Sequence, residues 1–87
     1  MSLFRPLIAA LCLIGAAHAA PECTSESRSH WLNETVFKSQ LRHQGYQVKK
    51  FKVVKRCYEI YGTDKAGRKV EVYFNPVNGA VVKSRVD

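Results

Sequence analysis

Apolar residues recur at two different spacings along this chain, and each spacing predicts a different element. Val36, Phe37 and Leu41 fall on one stripe at helical period, with Lys38, Ser39, Arg42 and His43 mostly outside it. Asn33 is a good N-cap, Glu34 sits at the positive helix end, and Leu32 and Phe37 have hydrophobic-staple spacing. Gly45 follows as the stop, and Trp31, just before the cap, is expected to cover one end of the core. Beyond Gly45 the period drops to that of strands. In the run from Tyr46 to about Val54, Val48 lies in one phase and Phe51 and Val53 in the other, so a β-bulge near Lys49-Lys50 is needed to bring all three to one face. Tyr58 and Ile60 share a face in the next run, and Val70, Val72 and Phe74 in the one after. Glu59, Tyr61, Glu71 and Tyr73 then line the opposite face, suited to solvent or a partner. The last run, about Ala80 to Arg85, contributes Ala80 and Val82 or, in the other phase, Val81.

The breaks between runs are turns. Gly67 supplies positive φ in the turn from Asp64, and Asn75-Pro76-Val77-Asn78-Gly79 forms another. The connection Val54-Lys55-Arg56 must be tight, yet it has no glycine, which leaves its turn type open. The expected architecture is a single α+β domain: one helix packed on one face of a three- to four-stranded antiparallel sheet.

The N-terminus changes how the cysteines and charges are counted. Arg5 precedes an apolar run, Leu7 to Ala17, of signal-peptide length and too short to span a bilayer. Ala17-His18-Ala19 presents small residues where a signal peptidase reads, and Pro21 disfavours a cut after Ala20. Leu11 before Cys12 does not fit a lipobox. The expectation is a leader over residues 1–19 cleaved after Ala19, a lead-in over 20–29 and a domain over 30–87, exported to the periplasm or beyond, with no transmembrane segment in the mature chain. Of three cysteines, Cys12 leaves with the leader, and Cys23 and Cys57 remain as an even pair in an oxidising compartment. One disulfide follows. Loop entropy assigns it roughly 3–4 kcal/mol, a useful staple for so small a core.

The chain carries 14 basic and 7 acidic residues, and losing Arg5 leaves a net charge of about +6. Lys49, Lys50, Lys52, Lys55 and Arg56 crowd the first hairpin, and Lys65, Arg68 and Lys69 the second. This basic patch is a candidate for binding envelope polyanions or an anionic membrane surface, with strong salt dependence. An exported chain rarely meets nucleic acid, so that partner is not expected. No catalytic residue, metal or cofactor is expected either. Two sulfurs without a nearby histidine pattern make no zinc site. His30 and His43 have no supporting ligand at tight spacing, and Glu59 and Glu71 on a flat sheet offer little enclosure for acid–base work.

Taken in order, Gly45-Tyr46-x-Val48-Lys49-Lys50, Cys57-Tyr58-Glu59-Ile60-Tyr61, Asp64-x-x-Gly67-Arg68-x-Val70-Glu71-Val72-Tyr73 and Asn75-Pro76-x-x-Gly79-x-Val81-Val82 resemble a PepSY domain. The likeness is to the small stand-alone periplasmic form, related to peptidase propeptides and YpeB-type domains, and it covers nearly all of the mature chain. Cys23 before a tryptophan, paired with Cys57 opening the Tyr-Glu strand, also fits that form. Lys55-Arg56 and Val77-Asn78 depart from the usual turn residues. The resemblance implies a non-catalytic module that restrains or chaperones a peptidase, or senses and binds another envelope protein. The face of Glu59, Tyr61, Glu71 and Tyr73, or an edge strand, would carry the contact.

Overall fold

A computed structural model describes residues 20–87. The expected leader and its cleavage site fall on residues 1–19 and their junction with Ala20, so the leader lies outside the described residues.

Helix α1 spans Glu34–His43. Its start is fixed by the Asn33 side chain, which accepts from the Val36 amide at 3.1 Å. Its end is a Schellman motif. Gly45 takes φ 99°, its amide donates to Arg42 O, and the Tyr46 amide reaches back to Leu41 O. Phe37 and Leu41, one turn apart, are the buried residues of the helix. Val36, expected in the stripe, is 52 % exposed. A helix laid on a sheet buries one narrow line, and a neighbour turned about 100° away from Phe37 falls outside it.

Four strands follow in a simple antiparallel meander, β1 (Gln47–Val54), β2 (Cys57–Thr63), β3 (Lys69–Phe74) and β4 (Val81–Val86), with spatial order β1-β2-β3-β4. The bulge lies where the phase of the hydrophobic residues requires it. Val48 pairs with Gly62 and Lys50 with Tyr61, leaving Lys49 without a partner in the register. Val48, Phe51 and Val53 thereby all pack against the core of Phe37, Leu41, Tyr58, Ile60, Val70, Val72 and Phe74. Gly62 is required at this point, because a Cβ there would sit 1.9 Å from the Gln47 carbonyl oxygen.

The β1–β2 connection is Lys55-Arg56, both with positive φ (46° and 62°). That is the geometry of a type I′ turn, whose twist matches the flanking strands, built here without glycine. Such residues carry strain of about 1–3 kcal/mol each. Arg56 holds the turn by donating to the carbonyls of Thr24 (2.9 Å) and Glu26, with its guanidinium 5.5 Å from the Trp31 ring centroid. Cys57, next in sequence, is bonded to Cys23. The lead-in is thus tied to one end of the sheet. Trp31 meets Tyr58 edge-on at 5.6 Å, while Tyr58 Oη donates to Leu32 O at 2.6 Å, covering that end of the core as expected.

Strand β4 differs from expectation. Ala80, Val81 and Val82 add nothing to the buried core, and every residue of β4 is exposed. Helix α1 lies against β1, its buried Phe37 reaches Tyr58 and Phe74 on β2 and β3, and β4 is left uncovered as the last strand among the described residues.

Candidate functional site: the back face of the sheet

Strand alternation sends Cys57, Glu59 and Tyr61 of β2 to the face away from α1, together with Glu71 and Tyr73 of β3. Register places Glu59 opposite Tyr73 and Tyr61 opposite Glu71, so the two carboxyls meet on a diagonal. The four residues share one face, but it is not the open surface expected for them. Glu59, Glu71 and Tyr73 are buried, with Glu59 2 % exposed, and Tyr61 is half-buried. They form the floor of a cleft of about 580 Å³. Lys52, Val54, Lys55, Lys83 and Arg85 stand around it, and Ala20 of the lead-in completes the wall.

Glu71 is the hub. Its Oε2 accepts from Tyr61 Oη at 2.7 Å and from Tyr73 Oη at 2.9 Å, while Arg85 Nη2 lies 3.0 Å from its Oε1. A hydrogen bond from the Glu59 carboxyl, then those from the two tyrosines and the charge of Arg85, hold Glu71 down at about 2 against the desolvation that opposes them. Glu59 moves the other way, raised by burial and then by its hydrogen bond to the Glu71 carboxyl. Tyr61 is pushed up to about 12, chiefly by donating to Glu71, and Tyr73 is raised by burial and the same bond. Among the described residues Glu59 Oε2 is a buried side-chain oxygen without a hydrogen-bond partner. The two tyrosines and Arg85 keep Glu71 occupied as an acceptor.

These opposite shifts give a testable pH dependence. Glu71 has a folded value below its ordinary 4.5. Its contribution to stability is therefore complete above that value and is lost as pH falls through about 2. Glu59, raised on folding, contributes at low pH and loses that contribution as pH rises through its folded value. Urea unfolding from pH 7 down to pH about 2 is expected to show stability falling on the acid side, with Glu71→Gln flattening that limb. An acid limb unaltered by Glu71→Gln would overturn the assignment.

The basic residues do not form one patch. Lys55 and Arg56 lie at one end of β2 and Lys65 and Arg68 at the other, about 20 Å apart along the strand. Arg56 is turned into the lead-in carbonyls, and Arg68 pairs with Asp64 at 2.7 Å. Lys49 is the bulge residue, and Lys69 is at the first position of β3, opposite Thr63. Lys50 and Lys52 lie opposite Tyr61 and Glu59, on the back-face side of β1. Lys52 Nζ is 5.7 Å from the Tyr61 ring centroid. Lys83 and Arg85, opposite Tyr73 and Glu71, complete the rim from β4. Sequence reasoning missed both. The signal was the alternation of two cations, obscured by a register shift between Tyr73 and Phe74. His30 bonds Glu26 on the surface at 2.7 Å. No cluster of residues suited to a metal occurs among the described residues.

A family model described as peptidase propeptide and YPEB domain, PepSY_2, matches residues 6–85. No curated protein and no solved structure matches the chain.

Proposed function

Because the chain belongs to the PepSY family of peptidase propeptide and YPEB domains, whose model matches nearly its whole length, we propose that it is an exported, non-catalytic interaction module that restrains or chaperones a peptidase of the cell envelope. The leader read from residues 1–19, cleaved after Ala19, and the disulfide support the exported location. Among the described residues no helix is long and apolar enough to cross a membrane.

The observation that carries the contact is the outer edge of β4. It is the last strand of the sheet, every residue is exposed, and Val81, Val82 and Val86 present 54 %, 44 % and 48 % of their surface. Among the described residues no strand lies beyond β4, and an edge with apolar side chains is suited to adding a strand from a partner. The other edge, β1, is covered on one face by α1 and carries Lys49, Lys50 and Lys52. A second reading, binding to an envelope polyanion or anionic membrane surface, draws its support from Lys52, Lys55, Lys83 and Arg85 around one cleft.

The test is capture from envelope extract on the oxidised protein, washed at low and high salt. A peptidase retained through high salt is expected. Replacing Val82 and Val86 by lysine should cut that retention at least about tenfold without unfolding the domain. Retention of acidic material at low salt alone would favour the polyanion reading. Loss of every protein at high salt would overturn the peptidase reading.

A further inference from the structure

Buried carboxylate oxygens ordinarily have partners, and one left alone costs about 1–3 kcal/mol or more. Glu59 Oε2 is such an oxygen, on a residue 2 % exposed, in the back-face cleft. The neighbouring cations on the strands are committed to other groups or stand at the rim. Arg85 sits on Glu71 Oε1, and Lys52 lies over the Tyr61 ring.

The lead-in approaches from the side. Ala20 packs against the cluster of Cys23, Cys57 and Tyr73 and lines the same cleft as Glu59. Tyr73 is the direct cross-strand partner of Glu59, and Cys57 lies two residues before it on the same face. The Cys23–Cys57 bond anchors this segment, and the Pro21 carbonyl oxygen is 3.1 Å from Cys57 Sγ. Ala20 is therefore held in the cleft whose floor includes the unpartnered Glu59 Oε2.

We propose that export processing completes this site: cleavage after Ala19 places an α-ammonium on Ala20, which docks in the back-face cleft and donates to Glu59 Oε2. This rests on the cleavage position read from Ala17-His18-Ala19. A signal peptidase adds water across the Ala19–Ala20 amide, leaving a carboxylate on Ala19 and an ammonium on Ala20. Before that step the Ala20 nitrogen is a neutral amide and cannot form the ion pair. Processing thus adds a further tie to the lead-in, beside the disulfide and the Arg56 hydrogen bonds. The groups that set the charge around the ammonium are Glu59, Glu71, Lys52, Lys55, Lys83 and Arg85, with Tyr61 and Tyr73 on the cleft floor and Glu22 on its own segment.

The experiment uses the exported, oxidised protein. Its mass and N-terminal sequence establish where it begins, and reductive ¹³C-methylation, which preserves amine charge, lets NMR follow the α-amine through a pH titration. The α-amine is expected to titrate near 9 rather than its ordinary value of about 8, and Glu59→Gln should return it to about 8. The wild-type titration decides the matter even if the variant folds poorly. A chain beginning elsewhere overturns both the cleavage position and this inference. A chain beginning at Ala20 whose amine titrates near 8 leaves the cleavage standing and overturns the ion pair.

Discussion

Replacing Cys23 and Cys57 together by alanine is expected to lower the unfolding free energy by about 3–4 kcal/mol. The bond joins residues 34 apart in sequence, and opening it returns the conformational freedom of that whole span to the unfolded chain. Small domains bury a limited core, with total stabilities often near 5 kcal/mol, so a loss of this size leaves little margin at 37 °C. The local packing raises the effect. Cys57 is fully buried, Cys23 nearly so, and Tyr73, Ala20 and Val54 pack around them. Urea unfolding with and without the pair, at fixed pH, measures the difference. A change below about 1 kcal/mol would mean that Arg56 and Trp31 hold the lead-in unaided and that the staple is redundant.

Phe74→Ala is expected to cost about 3–5 kcal/mol. Phe74 is 1 % exposed and stands where the helix meets the sheet. Its ring packs edge-on against Phe37 of α1 at 5.1 Å and against Tyr46 at the helix exit at 6.1 Å. Truncation leaves a cavity under both contacts. Helix α1 has only 10 residues and is marginal by itself, so its amides should lose hydrogen-exchange protection before those of β2. Val86→Ala, on the exposed edge, is the control and should change stability by less than about 0.5 kcal/mol. Equal effects at the two sites would contradict the placement of the core.

Local features were legible in the sequence because each had a local cause. Asn33 and Gly45 bound the helix through groups a few residues away. The phase conflict among Val48, Phe51 and Val53 required a bulge, and the register shift falls between Val48 and Lys50. The Lys55-Arg56 turn was hidden because glycine is its usual marker, whereas here strand pairing and the long reach of Arg56 to Thr24 enforce positive φ. The candidate site was legible only as a set of residues on one face. Their burial depends on neighbours brought from β4 and the lead-in, Lys83, Arg85 and Ala20, which are far from Glu59 in sequence.

Sequence by itself therefore determined the α+β class, the helix limits, the alternating faces and the cysteine pair, since periodicity, capping and cysteine count are read directly along the chain. Tertiary structure alone decided that Glu59 and Glu71 are buried side by side with opposite shifts, that the two basic hairpin turns lie at opposite ends of the sheet, and that β4 is the exposed last strand among the described residues. Register and coverage by a short helix set those outcomes, and both are properties of how the strands pair across the whole sheet.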